Sequence, residues 1–438
     1  MLHVFSSGLM ALWLEMAEVQ TAPPSAFATF ALQSLPGQAW FEDNDPATAA
    51  TLQAYLGGLA SKNMVRAEQG IWFQAGPLLL AENQGTQALP GASLTKIATT
   101  LAALETWGPD REFETLISVT GPIEAGVLRG DLVVQGGQDP LFVWEEAIVL
   151  GNRLNQLGIR QVTGNLVVTG DFYMNFKTDR QKAGELLKQA LNANRWPAAA
   201  AAQHRRLPPG TPKPQVAIAG TVQVASPATI SPGNGTVPLL RHRSLPLAVI
   251  LKQMNIYSNN VMSEMLADAV GGAGVVARTA AAAANVPQAE IQLINGSGLG
   301  VENRVSPRAA TAMLAAIQQR LQPDRLTVVD LFPVAGRDRK GTLSGRTIPP
   351  GSAVKTGTLR DVSALAGVMP TRDRGLVWFA IINRGSNVAA LRKQQDQLLQ
   401  SLLGQWGTSD FLPDSISPSP LMDRADYQLG SPARNEVL

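Results

Sequence analysis

The segment PGASLTKIATTLAAL, residues 90–104, predicts a buried helix that carries a serine and a lysine near its start. Pro90 and Gly91 interrupt the preceding structure, and Ser93 stands where the helix is expected to begin. Apolar residues then recur with the period of a buried helix face: Leu94, Ile97, Ala98, Leu101 and Leu104. Lys96 follows Ser93 by three residues, so we expect the hydroxyl and the amine on the same face of the helix.

The pair has two interpretations. Ser93 can cap the helix while Lys96 extends its amine to solvent, and the same spacing recurs in Ser352 and Lys355. Alternatively, Ser93 is a nucleophile and Lys96 its base, which requires burial to lower the lysine pKa from about 10.4 to about 7–8. The spacing alone leaves both interpretations open.

The composition excludes several classes of protein. Hydrophobic residues make up 45% of the 438 residues and charged residues 16%, as in a folded globular protein. The net charge of +2, without a basic cluster interleaved with aromatic residues, argues against nucleic acid as a partner. Cysteine is absent, and the three histidines, His3, His204 and His242, are far apart. We therefore expect no cysteine-based zinc site, no histidine-rich metal site and no histidine-based serine triad.

The N-terminal segment MLHVFSSGLMALWLEMAEVQ, residues 1–20, is ambiguous. Its apolar core has the length of a signal-peptide core, but no lysine or arginine precedes it and Glu15 interrupts it. An export signal, a helix that rests on a membrane and a packed helix all remain open.

Changes of pattern along the chain divide it into segments. Residues 26–110 and 240–403 combine helical periods with short strands, and residues 111–239 contain glycine-bounded strands. The segments WPAAAAAQ, LPPGTPKP and SPATISPGNG inside this insertion have loop compositions. Residues 1–25, which contain the ambiguous segment above, form an equivocal signal or N-terminal helix, and residues 404–438, rich in Pro, Ser and Asp, are expected to be mobile. The predicted fold is α+β, an antiparallel sheet flanked by helices and split by a strand-rich insertion.

Two later segments add residues that an acyl-transfer site requires. YSNN supplies Ser258 and Asn260 on a predicted loop, where the hydroxyl can relay a proton and the amide can hold the lysine. VKTGTL, on a predicted strand, supplies Lys355, Thr356, Gly357 and Thr358. The lysine and the threonines can bind a carboxylate, and the glycine allows another chain to approach closely. A second Ser-x-Asn, at Ser61 and Asn63, is interpreted as an exposed turn.

The motifs Ser-x-x-Lys, Ser-x-Asn and Lys-Thr-Gly, in this order, are typical of penicillin-binding proteins and serine β-lactamases. The chain resembles the D-alanyl-D-alanine carboxypeptidases of the penicillin-binding protein 4 type, peptidase family S13. The resemblance covers residues 71–403 and includes the later segments GIRQVTGNLVV, SNNVMSEML, INGSGLGVENRVSP, FPVAGRDRKGTL and AVKTGTLRDVSALAGVM. In INGSGLG, Asn295 and Gly300 stand where the family commonly has Asp and Ser. The insertion is also shorter than usual, which implies a reduced inner segment.

The resemblance implies a role for each motif. Ser93 would be the nucleophile and Lys96 its general base, with an oxyanion hole formed by the backbone N–H groups of Ser93 and Thr358. The second and third motifs would be formed by Ser258, Asn260, Lys355, Thr356 and Gly357.

The resemblance also implies an activity and a location. The expected enzyme is a serine-type carboxypeptidase that cleaves the terminal D-Ala–D-Ala bond of peptidoglycan stem peptides, with endopeptidase action on cross-bridges. β-Lactams would acylate the same serine, and no metal or cofactor would be needed. The protein would be periplasmic or attached to the outer face of the inner membrane, with the N-terminal segment as the part that could associate with the membrane. A β-lactamase or esterase on the same scaffold and a non-catalytic peptidoglycan-binding scaffold are the alternatives.

Overall fold

The computed structural model describes residues 41–42, 45–226, 235–409 and 412–438. Its α-helices are α1 (Pro46–Ala60), α2 (Thr95–Trp107), α3 (Trp144–Gln156), α4 (Arg180–Ala190), α5 (Ala198–His204), α6 (Leu247–Tyr257), α7 (Asn260–Val270), α8 (Ala273–Ala283), α9 (Pro307–Leu321), α10 (Val328–Leu331) and α11 (Val388–Trp406). The ambiguous residues 1–20 lie outside the described part of the chain.

The strands are β1 (Phe41–Glu42), β2 (Gly70–Ala75), β3 (Leu78–Asn83), β4 (Leu89–Pro90), β5 (Glu114–Val119), β6 (Ile123–Glu124), β7 (Val127–Leu128), β8 (Leu132–Gly137), β9 (Gln161–Val162), β10 (Leu166–Asp171), β11 (Ala217–Ile218), β12 (Val222–Val224), β13 (Val237–Arg243), β14 (Ile291–Gln292), β15 (Arg304–Val305), β16 (Ala353–Thr358), β17 (Val362–Thr371), β18 (Gly375–Arg384) and β19 (Asn435–Val437).

The first six-stranded sheet has the order β1-β3-β2-β18-β17-β16 and is antiparallel except for the pair β1–β3. Its two faces are covered by different helices because successive side chains of a strand point to opposite sides. On β18, Phe379 and Ile381 pack with α1 and α11, whereas Trp378, Ala380 and Ile382 pack with α2, α8 and α9. Strand β16 lies at one edge of this sheet, next to the start of α2.

The second six-stranded sheet has the order β12-β10-β8-β5-β13-β19, and its strands β8, β10 and β12 are parallel. With α3, α4 and α5 it encloses a separate core, formed by buried residues between Ile117 and Leu240. Most of this core comes from the segment 111–239 that the sequence marks as an insertion, but Leu240 extends the core, and the strands β13 and β19 extend its sheet, beyond that segment. The division into 26–110 with 240–403 and 111–239 stays a prediction.

The prediction of a loop at WPAAAAAQ is wrong, whereas that of a mobile tail stays a prediction. Residues 404–438, expected to be mobile, contain the end of α11, which continues to Trp406, and β19, which pairs with β13. Arg434 anchors this segment through a buried ion pair with Glu146. The segment WPAAAAAQ, expected to be a loop, forms α5, since alanine has the highest helix propensity and Pro197 occupies the N-cap.

Candidate active site

Ser93 lies in a 3-10 turn, Ala92–Leu94, that joins β4 to α2. Its hydroxyl does not cap the helix, so the structural interpretation of this serine as an N-cap is wrong. The preceding residue, Ala92, has φ 47°, a left-handed conformation that costs a non-glycine residue on the order of 1–2 kcal/mol. The turn therefore holds the half-buried Ser93 hydroxyl in a fixed position at the end of β4.

Lys96 is fully buried and its amine is surrounded by three acceptors. Nζ donates to Ser93 Oγ at 3.1 Å, to Asn260 Oδ1 at 2.7 Å and to the Ser297 carbonyl at 2.7 Å. Burial lowers the pKa of Lys96 to about 7, and the nearby charge of Glu264 acts in the opposite direction. At neutral pH a large fraction of this amine is therefore unprotonated and able to accept the Ser93 proton.

Ser258 and Asn260 lie at the junction of α6 and α7. Helix α6 ends at Tyr257, and Ser258 adopts the left-handed conformation (φ 52°) that stops the helix. Asn259 caps α7 by accepting a hydrogen bond from the Met262 N–H at 3.1 Å. This break turns the Ser258 hydroxyl towards β16 and places Asn260 against Lys96.

Lys355 is fully buried on the edge strand β16. Its Nζ donates to Ser258 Oγ at 3.0 Å and to the Thr356 carbonyl at 2.9 Å. Burial, and secondly the charge of Lys96, lower the pKa of Lys355. The two lysines thus meet the two serines in separate pairs, Lys96 with Ser93 and Lys355 with Ser258.

Gly357 and Thr358 continue β16 beside the Ser93 turn. A Cβ atom on Gly357 would stand 2.9 Å from the Gly91 carbonyl oxygen and 3.1 Å from Ala92 Cβ, so a larger residue would push the strand away from the turn. Thr358 is exposed, and its Oγ1 accepts a hydrogen bond from Arg392 Nη2 on α11 at 2.6 Å. The guanidinium group of Arg392 on α11 therefore lies at the end of β16, the strand that carries Lys355.

Hydrogen bonds join Ser93, Lys96 and Asn260 in one group and Ser258 and Lys355 in another, and the charge of Lys96 acts on Lys355 between them. Thr356, Gly357 and Thr358 follow Lys355 along the same strand. Sequence reasoning missed Glu264, the Ser297 carbonyl and Arg392. Glu264 could have been found, because it follows Asn260 by four residues and therefore lies on the same face of α7.

Within the described residues, no cluster of three or more His, Asp or Glu side chains is arranged to hold a metal ion. In the same residues, no helix has the length and apolar character that a membrane crossing needs.

Solved structures share this fold. A predatory endopeptidase of Bdellovibrio bacteriovorus, acylated by penicillin G, superposes with a TM-score of 0.69 at 21% identity, over 78% of this chain and 94% of its own. Penicillin-binding protein 4 of Haemophilus influenzae superposes with a TM-score of 0.59 at 18% identity, over 80% of this chain and 99% of its own. The fold is that of the penicillin-binding proteins, as the sequence predicts.

Curated relatives are similar over different shares of the chain. A carboxypeptidase of Mycolicibacterium smegmatis is 30% identical over 171 residues, which are 35% of this chain and 37% of that protein. The match thus spans little more than a third of that relative's length. The D-alanyl-D-alanine carboxypeptidase of Haemophilus influenzae is 25% identical over 393 residues, which cover 68% of this chain and 80% of that protein.

The sequence pattern of one family matches most of the chain, over residues 61–193 and 215–403. The unmatched residues between these ranges fall in the Pro/Ala-rich part of the insertion, where the sequence indicates a shortened segment. The chain belongs to the D-Ala-D-Ala carboxypeptidase 3 (S13) family.

Proposed function

We propose that the protein is a serine-type D-Ala-D-Ala carboxypeptidase that acts on peptidoglycan stem peptides through an acyl-enzyme at Ser93. The observation that carries the proposal is the position of the Lys96 amine, buried and 3.1 Å from the Ser93 hydroxyl. Its pKa of about 7 suits a general base that works near neutral pH.

The proposed reaction uses the residues of both hydrogen-bonded pairs. Neutral Lys96 would accept the Ser93 proton while Oγ bonds to the carbonyl carbon of the penultimate D-Ala. The oxyanion would be held by the backbone N–H groups of Ser93 and Thr358. When the C–N bond breaks, Ser258 would pass its proton to the leaving amine of D-Ala and take a proton from Lys355 in exchange. A water molecule would then attack the acyl carbon, its proton would return through Ser258 to Lys355, and protonated Lys96 would give its proton back to Ser93 Oγ as the acyl group leaves.

The terminal carboxylate of the peptide would be recognised along β16. Lys355 and Arg392 bring positive charge to this strand, and the hydroxyls of Thr356 and Thr358 can donate to carboxylate oxygens. This arrangement favours a substrate with a free carboxylate next to the scissile bond. Endopeptidase action on cross-bridges is supported by the likeness to the predatory endopeptidases of Bdellovibrio bacteriovorus.

Release of D-alanine from a pentapeptide that ends in D-Ala-D-Ala tests the proposal, with the Ser93→Ala variant as control. Purified protein should release D-alanine and the variant should not. Labelling with a fluorescent penicillin separates the alternatives. A stable adduct supports the carboxypeptidase, rapid turnover of the adduct supports a β-lactamase, and no adduct supports a non-catalytic scaffold. Release of D-alanine by the Ser93→Ala variant would contradict the proposal.

We also propose that the protein acts in the periplasm, because its substrate lies outside the cytoplasmic membrane. Cell fractionation with antibody detection tests this location. Recovery of the protein in the cytoplasmic fraction alone would contradict it.

A further inference from the structure

Glu264, on α7, binds the backbone of the loop that follows β14. Its Oε2 accepts a hydrogen bond from the Gly296 N–H at 2.8 Å, and its Oε1 accepts one from the Ser297 N–H at 3.0 Å. Both carboxylate oxygens are thus used on two successive peptide groups. A carboxylate held in this way fixes the orientation of those peptides.

The same two residues, Gly296 and Ser297, present their carbonyl groups to side chains of α2 and α7. The Gly296 carbonyl accepts from Thr99 Oγ1 at 2.7 Å and from Ser263 Oγ at 2.6 Å. The Ser297 carbonyl accepts from Lys96 Nζ at 2.7 Å. The segment Gly296–Ser297 therefore donates two N–H groups to the Glu264 carboxylate and accepts a hydrogen bond from the Lys96 amine.

The loop has little freedom to find another position. Gly298 has φ 83°, and a Cβ atom at this residue would stand 1.9 Å from the Ala92 carbonyl oxygen. The loop is thus in direct contact with the turn that carries Ser93. A shift of the loop would move both an acceptor of Lys96 and the support of the nucleophile.

Glu264 also acts on Lys96 through its charge. Among the described residues, two titratable side chains face the Lys96 amine: Glu264 from α7, and Lys355 from β16, whose own pKa is lowered by burial and by the charge of Lys96. The other groups around the amine are the neutral acceptors of Ser93, Asn260 and Ser297. The negative charge of Glu264 opposes the effect of burial and favours the protonated amine.

We propose that Glu264 is a positioning residue for the general base: it holds the Ser297 carbonyl against Lys96 and sets the pH above which Lys96 can accept the Ser93 proton. The inference rests on the proposed function, because it assigns Lys96 as the base for acylation. A residue with only a structural role would change the stability of the fold or the rate at every pH to the same degree. A positioning residue of this kind also changes the pH profile.

The test uses two variants that separate the charge of Glu264 from the length of its side chain. Glu264→Gln keeps the length of the side chain and removes the charge, whereas Glu264→Asp keeps the charge and is too short to bind both N–H groups. Glu302→Gln is the matched control, since it removes one negative charge from an exposed residue on the same connection between β14 and β15. The second-order rate of acylation by a fluorescent penicillin is measured between pH 5 and pH 9, together with the melting temperature of each variant.

Loss of the charge should lower the pKa of Lys96, so the acid limb of the Glu264→Gln profile should move to lower pH by about 1 unit. Glu264→Asp should keep the acid limb and lose about tenfold in its plateau rate, the scale of one charge-assisted hydrogen bond. Glu302→Gln should match the unaltered protein in both respects.

Three outcomes would overturn the proposal. An acid limb of Glu264→Gln that coincides with that of Glu302→Gln excludes the role of the charge. If Glu264→Gln does not fold, the folded Glu264→Asp variant tests the proposal. A plateau rate of Glu264→Asp equal to that of the unaltered protein would show that the two hydrogen bonds of Glu264 to the loop do not position Lys96. If the unaltered protein is not acylated at Ser93, the proposed function fails first and this inference fails with it.

Discussion

Lys355 Nζ donates a hydrogen bond to Ser258 Oγ at 3.0 Å, although the two residues are 97 positions apart. Ser352 precedes Lys355 by three residues and so forms a second Ser-x-x-Lys motif. It is buried in the turn before β16, and its hydroxyl has no hydrogen-bond partner among the described residues. In an extended chain, residues three positions apart point to opposite sides, whereas on a helix they meet. The second copy of the motif, Ser352 and Lys355, therefore contributes only its lysine to the site. In the first copy, Ser93 and Lys96 contact each other.

Ser93→Ala should abolish labelling by a fluorescent penicillin, because the variant lacks the hydroxyl that Lys96 contacts. Ser352→Ala should label nearly as well as the unaltered protein, because it removes a hydroxyl that bonds to nothing in the described structure. Mass spectrometry of the digested adduct locates the modified serine. A modified peptide that contains Ser352 would contradict the assignment.

Lys96→Ala should fold and acylate at least ~100-fold more slowly, the usual scale for the loss of a general base. In the unaltered protein the acylation rate should rise with pH through a midpoint near 7, because the pKa of Lys96 is lowered to about 7 and the neutral amine is the active form. Below that pH the amine is protonated and the rate should fall. A profile that stays flat from pH 5 to pH 9 would show that Lys96 is not the base.

Lys355→Ala should lower kcat/KM for a pentapeptide by one to two orders of magnitude, an estimate from about 1.5–3 kcal/mol for a hydrogen bond to a charged group. The variant removes a cation from β16 and the donor to Ser258. Lys393→Ala, on the exposed side of α11, is the matched control and should be unchanged. Equal kcat/KM for the two variants would contradict the assigned role of Lys355.

Arg434→Ala should destabilise the fold by about 3–5 kcal/mol, because it leaves the buried carboxylate of Glu146 without its partner. The side chains of Arg434 and Glu146 are only 5% and 2% exposed. Arg424→Ala breaks an exposed ion pair with Asp426 and should have little effect. Denaturant unfolding of the two variants measures the difference, and equal midpoints would contradict it.

Local chemistry predicted part of this site. The contact between Ser93 and Lys96 follows from spacing on a helix, and VKTGTL, predicted to lie on a strand, forms most of β16. The contacts of Lys96 with Asn260 and of Lys355 with Ser258 join residues 164 and 97 positions apart. No spacing rule reaches that far, so only the resemblance to a family could anticipate them.

The contacts that the sequence does not predict have a physical cause of the same kind. Residues 404–438 have the composition of a mobile tail, and in the structure Arg434 pairs with the buried carboxylate of Glu146 on α3 while β19 pairs with the edge of β13. Glu264 was missed because the helical pattern of VMSEMLADAV marks its apolar face and says nothing about the peptide groups that a polar residue meets. Both cases depend on tertiary partners.

Strand β19 is synthesised last but belongs to a sheet whose other strands are synthesised much earlier, and this affects folding during translation. The insertion begins at β5, but its sheet is completed by residues 435–437, which the ribosome adds after the whole of the sheet that carries Lys355. Domains generally fold as units during synthesis, starting from the N-terminus. Here the edge of β13 must remain uncovered while nearly two hundred further residues are translated. A nascent chain of this protein therefore leaves that edge without its final strand until translation has passed Val437.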